Sequence, residues 1–210
     1  MKLFTTTAVG GFFLAILLCA SDKACAQEVY AFEEKPVTVQ LRTNGLYWLG
    51  LTPNIGAEVQ TDMGLAFQLD YMGAWWNCYR KHNFWSNYAF HAEARYYLGG
   101  KKQENPYKGH HVGVYAILAT YDFEFGNTGY QSNDLSKTWS IGASYGWTKP
   151  LNRHLSLDFT LGLGFLQSTY DVYIPQNDRY IRMNTKRMRF FGPTKVEVSL
   201  VWNINNKNNK

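Results

Sequence analysis

The stretch LSLDFTLGLGFLQ, residues 155–167, alternates between large apolar side chains and small or polar ones. Successive side chains of a β-strand point to opposite faces, so this stretch predicts one apolar ribbon backed by one polar ribbon. The apolar ribbon carries Leu155, Leu157, Phe159, Leu161, Leu163 and Phe165. The medium that this ribbon faces decides both the fold and the compartment.

Seven further stretches with strand-like patterns lie between turn signals. Together with residues 155–167 they predict eight strands, the others being residues 37–49, 54–60, 65–76, 88–99, 110–125, 138–147 and 195–202. The strand at residues 110–125 is apolar on both faces in its middle, which leaves its inward face open. Turns such as TDMG and KPLNRH alternate with longer polar loops such as NTGYQSNDLSK, a pattern typical of bacterial outer-membrane barrels.

The first 26 residues have the order of a secretory signal peptide. Lys2 precedes an apolar run, and the small residues Ala24, Cys25 and Ala26 come directly before the cleavage site expected after Ala26. We therefore expect a signal peptide at residues 1–26 and an N-terminal periplasmic lead-in at 27–36. A barrel at 37–202 and a polar C-terminal tail at 203–210 complete the expected domain organisation.

The composition favours a surface that does not face only water. Charged residues make up 18% of the chain, against about 25% in typical globular domains, and aromatic residues make up 17%. After Gln27 no apolar run approaches the roughly 20 residues that a membrane helix needs. A chain of this kind crosses a membrane only as a closed barrel.

The distribution of side chains between the two faces distinguishes a membrane barrel from a soluble one. A soluble periplasmic lipocalin-like ligand-binding barrel would have the opposite orientation, with its apolar face inside. Here the polar face of residues 155–167 carries glycine and serine rather than a water-facing set of lysine and glutamate, and tryptophans recur near strand ends. We therefore predict an all-β, eight-stranded, antiparallel, up-and-down transmembrane β-barrel in the cell outer membrane of a Gram-negative envelope.

The polar faces predict a filled polar lumen that contains charges of both signs. Eight strands enclose an interior just wide enough for side chains to fill. Acids and bases in that space are expected to form a structural ion network. Its predicted members are Arg42, Glu58, Asp70, His91, Glu93, Arg95, Asp158, Lys195 and Glu197.

The sequence contains no recognisable catalytic, metal or cofactor motif. The pair His110 and His111 is a poor chelate, because neighbours on a strand point to opposite faces. A lipid-modifying enzyme of the outer membrane remains an alternative, in which Ser140 or Ser144 approaches His91 and Glu93. The expectation is therefore a protein that is not an enzyme, with no metal and no cofactor.

A basic segment before the last strand indicates contact with phosphate groups. If it lies at the outer rim, its side chains could bind lipopolysaccharide through charge-assisted hydrogen bonds. The candidates are Arg179, Arg182, Lys186, Arg187 and Arg189. Nucleic acid is not an expected partner, because the chain is predicted to be exported and carries only nineteen basic against fifteen acidic residues after Ala26.

Several stretches resemble the family known as domain of unknown function 3575. They are LRTNGLYW (41–48), LTPNIGAE (51–58), DYMGAWW (70–76), GHHVGVY (109–115), TYDFEFG (120–126) and FGPTKVEVSLVW (191–202). The resemblance implies a small outer-membrane-type barrel of Bacteroidetes and carries no established activity. It also implies an association with fimbrial gene clusters, and hence a surface or fimbrial protein partner. The expected role is structural, envelope-stabilising or surface-interacting, with outer-membrane lipid as a contact and the oligomeric state open.

Overall fold

The computed structural model describes residues 38–61, 64–78, 83–98, 108–176 and 179–204. The chain divides into two units, residues 1–34 and residues 35–210. The predicted signal peptide (1–26), the lead-in (27–36) and the tail beyond Ile204 lie outside the described residues.

The described chain is almost entirely β-strand. It contains nine strands and one helix of five residues, α1. In chain order they are β1 (Thr38–Asn44), α1 (Gly45–Leu49), β2 (Asn54–Gln60), β3 (Leu65–Cys78), β4 (Asn83–Tyr97), β5 (Gly109–Phe125), β6 (Thr128–Ser132), β7 (Thr138–Pro150), β8 (Leu155–Gln176) and β9 (Arg179–Asn203). Among these residues no helix is both long and apolar enough to cross a membrane.

Eight of the nine strands form a closed antiparallel ring. From β1 to β5 each strand pairs with the next, and β5, β7, β8 and β9 continue the sequence of pairs. The ring closes because β9 pairs with β1, with Leu41 opposite Trp202. Closure gives every ring strand two neighbours, so the ring has no free sheet edge.

The described chain contains nine strands instead of the predicted eight, because β6 is present in addition. This strand forms within the connection that was expected to be a loop between β5 and β7. Tyr130 pairs with Phe123 of β5 and with Val172 of β8. Because β5 and β8 both extend beyond the ring at this end, they offer backbone groups with which the connection pairs.

The first predicted strand, residues 37–49, ends at Asn44. The Asn44 side chain accepts a hydrogen bond from the backbone N–H of Leu46, 3.0 Å away, and so caps α1. Asparagine is among the preferred N-cap residues because its short side chain reaches the free N–H groups of the first turn. The residues GLYWL therefore form one helical turn instead of extending the strand.

The last two strands are longer than predicted. The segment expected as the loop PQNDRYIRMNTKR is mostly a continuation of the β8–β9 ladder, whose pairs run from Gln167–Arg189 to Gln176–Arg179. A shift in this register between Val172 and Tyr173 accommodates one extra residue of β9. The predicted basic loop is therefore a strand hairpin that extends past the ring.

The two faces of the ring have opposite chemistry. Outer residues in the middle of the strands are apolar and exposed: Leu163 is 54% exposed, Ile141 57% and Val114 63%. Inner residues on the same strands are polar and buried, as for Asp158 at 1%. This polarity is the reverse of the lipocalin-like alternative.

Glycines on the inner face of β7 and β8 leave room for large side chains from β5. A methyl group on Gly146 would lie 2.3 Å from His111 Cε1, and one on Gly162 would lie 2.6 Å from Tyr115 Cε1. Separations below 3.0 Å force a shift of the neighbouring atoms. Packing inside the ring therefore requires the glycines of β7 and β8, which also distinguish these strands from a water-facing surface.

Candidate functional site

The nine predicted lumen residues all lie on the inner face of the ring, where they meet a further histidine, His111. We call these ten residues the inner charge cluster. They come from seven strands: Arg42 on β1, Glu58 on β2, Asp70 on β3, His91, Glu93 and Arg95 on β4, His111 on β5, Asp158 on β8, and Lys195 and Glu197 on β9. All are buried except Asp70, whose side chain keeps 19% of its exposure.

Arg42 connects opposite sides of the ring. Its Nη1 donates to Glu58 Oε2 at 3.0 Å and to Gln68 Oε1 at 2.8 Å. Its Nη2 donates to Asp158 Oδ2 at 2.9 Å and to Glu197 Oε2 at 3.3 Å. The planar guanidinium, with several fixed N–H donors, suits such multiple contacts better than a lysine ammonium does.

Arg95 binds an overlapping set of carboxylates from the other side. Its Nη1 lies 3.3 Å from Glu58 Oε2 and 3.0 Å from Asp158 Oδ2. Its Nη2 lies 2.9 Å from Glu93 Oε2 and 3.3 Å from Glu197 Oε2. The two arginines thus share three carboxylates, which reduces the repulsion between two buried positive charges.

Lys195 completes the set of permanent cations. Its ammonium contacts Glu93 Oε2 and lies 3.2 Å from Glu197 Oε2. The same nitrogen lies 5.5 Å from the centre of the Tyr115 ring, within the range of a cation–π contact. Glu93 also accepts a hydrogen bond from Ser144, so this carboxylate joins β4 to both β7 and β9.

Each histidine of the cluster contacts a carboxylate. His91 Nδ1 lies 2.5 Å from Asp70 Oδ2, and His111 Nε2 lies 2.8 Å from Asp158 Oδ1. His110, the neighbour of His111, is exposed and contacts Tyr145 on the outer face. The adjacent histidines therefore point to opposite faces, as the strand geometry predicts.

Sequence reasoning missed His111 and three uncharged partners of the cluster. Tyr97 donates to Glu58 Oε1 at 3.0 Å, Thr148 donates to Asp158 Oδ1 at 2.8 Å, and Gln68 binds Arg42. Tyr97 continues the parity of the inner residues of β4, so the alternation could have identified it. The sequence did not reveal whether His111 points inward or outward, because β5 is apolar on both faces in its middle.

A small cavity lies at the edge of the cluster, next to α1. It has a volume of about 20 Å³ and is lined by Tyr47 of α1 together with Asp70, His91 and Glu197. Burial raises the pKa of the Tyr47 hydroxyl, and the negative charges of Glu197 and Asp70 raise it further. The cavity therefore places two carboxylates and an imidazole beside the buried Tyr47 hydroxyl.

The serines considered for lipid chemistry do not form a hydrogen-bonded nucleophile–histidine pair among the described residues. Ser144 donates to Glu93, and the Ser140 hydroxyl is buried without a hydrogen-bond partner. A serine nucleophile is activated by a base that accepts its proton, usually a histidine. Nothing in this arrangement favours the catalytic alternative.

The basic residues near the start of β9 are divided between the two faces of the hairpin. Arg187 pairs with Thr169 and Arg189 with Gln167, on the outer face that continues through Phe191 opposite Phe165. Lys186 is the neighbour of Arg187 on the strand, so its side chain points to the other face of the hairpin. Arg182 is 2.7 Å from Asp171, while the side chain of Arg179 lies outside the described part of the chain.

Comparison with protein families gives one match that covers nearly the whole chain. Residues 12–204 match the model of a family described as "Protein of unknown function (DUF3575)". No curated protein and no solved structure matches the chain. The comparisons thus assign the chain to a family and attach no activity to it.

Proposed function

The chain belongs to the DUF3575 family of proteins of unknown function, and from its geometry we propose that it is a small outer-membrane β-barrel with an envelope-stabilising or surface-interaction role. The observation that carries the proposal is the inverted polarity of the closed ring. Its exposed outer face is apolar, and its buried inner face holds the charge cluster. In water this arrangement would expose a large apolar surface, whereas in lipid it is favourable.

The spacing of aromatic residues fits a membrane of ordinary thickness. Trp139 and Trp147 lie near the two ends of β7 and are eight residues apart. Eight strand residues span about 26 Å, or about 20 Å along the axis of a barrel whose strands tilt by about 40°. With the flanking side chains, this distance is comparable to the apolar band of about 25 Å that outer-membrane barrels present to lipid.

The hydrogen-bonding pattern also suits the interior of a bilayer. A spanning chain has to satisfy its backbone N–H and C=O groups internally, and closure of β9 on β1 does so at the last edge. The inner charge cluster fills the interior, and the contacts of Arg42 and Arg95 with Asp158 cross it. This supports a rigid structural protein over a wide pore.

The outer face of the β8–β9 hairpin fits a phosphate-bearing lipid surface. On this face of β9, Arg187 and Arg189 lie next to the apolar residue Phe191, on its side toward the tip of the hairpin. Phe191 is 78% exposed. Arginine at this height meets the phosphate groups of lipopolysaccharide and binds them through two N–H donors at once. Beyond the arginines the hairpin exposes Tyr180 and Met183, which offer a contact surface for a surface or fimbrial protein.

Cysteine labelling in intact cells tests the compartment and the orientation. In a Cys78→Ser background, Ser136→Cys reports on the end of the ring that bears the long hairpin, and Arg153→Cys reports on the opposite turn. Both residues are exposed, and neither belongs to the inner charge cluster. We expect a membrane-impermeant maleimide to label only Ser136→Cys in intact cells and both variants after permeabilisation.

A third variant, Leu161→Cys, places the thiol on the outer face at mid-strand. We expect only a lipid-soluble reagent to reach it. Labelling of neither loop variant in intact cells, together with recovery of the chain in the soluble periplasmic fraction, would refute the proposal.

Binding to lipid A tests the lipopolysaccharide contact separately. We expect the variant Arg187→Ser/Arg189→Ser to bind vesicles containing lipid A more weakly, while Lys186→Ser, with the opposite parity, binds like the wild type. Equal binding by both variants would remove this part of the proposal and leave the barrel assignment intact.

A further inference from the structure

We propose that Asp70, His91 and Glu197 form a binding site for one divalent transition-metal ion of the zinc class. The donor atoms offered by the three residues all lie within 4.8 Å of one another. They border the cavity of about 20 Å³ next to α1, and a space of that size accommodates a single small species. The inference is independent of the membrane role.

The geometry brings two oxygen donors and one nitrogen donor together. Asp70 and His91 are directly paired on β3 and β4, and Asp70 Oδ2 lies 2.5 Å from His91 Nδ1. Glu197 Oε1 approaches the same nitrogen at 4.0 Å. Donors around zinc lie about 3.3 Å apart when the bonds are 2.0–2.2 Å long, so side-chain movements of about 1 Å suffice to accommodate the ion.

The second oxygen of each carboxylate is already held by a cation. Glu197 Oε2 accepts from Arg42, Arg95 and Lys195. Asp70 Oδ1 lies 3.5 Å from Arg42 Nε. The other oxygens, Glu197 Oε1 and Asp70 Oδ2, approach His91, and Asp70 Oδ2 also accepts a hydrogen bond from Gln68.

The second nitrogen of His91 supplies an independent observation. His91 is only 9% exposed, and its Nε2 is buried without a hydrogen-bond partner. The carboxylate oxygen Glu93 Oε2 lies 3.7 Å from this Nε2 atom. Metal-binding histidines characteristically direct the nitrogen that does not bind metal at a carboxylate. With its proton on Nε2, His91 faces Glu93 and leaves the Nδ1 lone pair for the ion.

The charge balance of the cluster favours a dication. Five carboxylates face three basic side chains, which are Arg42, Arg95 and Lys195, so that in the inner charge cluster the acidic side chains outnumber the arginines and lysine by two. Buried carboxylates are costly without a compensating charge. One divalent ion supplies the missing charge at the place where the cluster reaches solvent through the partly exposed Asp70 side chain.

The donor set selects the class of metal. One imidazole and two carboxylates suit zinc and its neighbours, whereas magnesium and calcium prefer oxygen-only sites with more ligands. Three protein ligands leave a fourth position, which a water molecule fills at zinc sites of this type.

The test uses the full chain, folded in detergent, stripped with a chelator and dialysed against Zn²⁺. We expect about one tightly held zinc per chain by elemental analysis. Asp70→Asn keeps the size of the side chain and removes its charge, and we expect it to weaken zinc binding at least tenfold. The matched control Asp171→Asn removes an aspartate from the hairpin, away from the cavity, and should bind zinc like the wild type.

Cobalt gives a second readout that needs no variant. Co²⁺ bound to the wild type by one nitrogen and two oxygens should show the visible absorption bands of a four- or five-coordinate site, and added Zn²⁺ should abolish them. Zinc content far below one per chain, or equal zinc affinity in Asp70→Asn and the wild type, would overturn the proposal. In either case His91 serves instead as a hydrogen-bond partner of Asp70.

Discussion

Removal of Arg95 should be one of the most destabilising single changes in the ring. Its side chain is buried, and its two terminal nitrogens contact Glu58, Glu93, Asp158 and Glu197 at 2.9–3.3 Å. In Arg95→Met the volume is largely kept, but four carboxylates lose a shared cation. Breaking a buried ion pair on one side costs about 3–5 kcal/mol, because the remaining charge is left uncompensated.

This range is appropriate because the other cations compensate only in part. Arg42 still serves three of the four carboxylates, and Lys195 still contacts Glu93. The expected loss of stability is therefore smaller than the sum for four separately broken ion pairs. If the interior were instead an open, hydrated channel, water would solvate the carboxylates, and the loss would fall to about 1 kcal/mol or less, as for exposed ion pairs.

Equilibrium unfolding by urea in detergent micelles measures the difference, with tryptophan fluorescence as the signal. For a slope of about 2 kcal/mol per molar urea, a loss of 3–5 kcal/mol lowers the midpoint by about 1.5–2.5 M. Arg182→Met removes an exposed arginine that pairs with Asp171, and it should lower stability by less than about 1 kcal/mol. Equal midpoints for Arg95→Met and Arg182→Met would refute a packed ionic interior.

Three further changes test the faces of the ring. Leu161→Arg puts a charge on the outer face at mid-strand and should lower the free energy of unfolding in lipid vesicles by about 2–4 kcal/mol. The control Leu151→Arg, at an exposed position between two strands, should leave it unchanged. Similar unfolding of both variants would contradict a lipid-facing surface. A methyl group on Gly142 would lie 2.4 Å from a backbone oxygen, so Gly142→Ala should lower the free energy of unfolding by about 1–3 kcal/mol. The control Ala143→Ser, at an exposed neighbour, should not change stability. Unchanged thermal stability of Gly142→Ala would argue against this close packing. Tyr97→Phe removes a hydrogen bond to the Glu58 carboxylate and should cost about 1.5–3 kcal/mol, with a urea midpoint like that of the wild type as the contrary result.

Local side-chain alternation was sufficient to predict most of the ring strands. Residues 155–167 predict both the strand and its two faces, and the structure places Asp158 inside and Leu161 outside accordingly. The same parity predicts the inner side of Arg95 and Lys195. These predictions succeed because a strand has a period of two residues, so that sequence alone fixes which side chains share a face.

The elements that the alternation missed depend on contacts far away in sequence. The strand β6 forms because β5 and β8 both extend past the ring and flank its backbone. The long β8–β9 hairpin is a polar, basic segment whose strand structure comes from ladder pairing rather than from an apolar face. The turn of helix after Asn44 depends on a cap that strand periodicity does not reveal.

The sequence by itself determined the class of fold, the faces of most strands and the set of charges that lie inside. Only the tertiary structure decided which acid meets which base, because the partners Arg42 and Asp158 are separated by 116 residues and meet through ring closure. The same holds for the cavity next to α1, whose donors at positions 70, 91 and 197 come from three strands. Alternation specifies a direction for each side chain, whereas a site also needs the register and the curvature that bring those directions to one point.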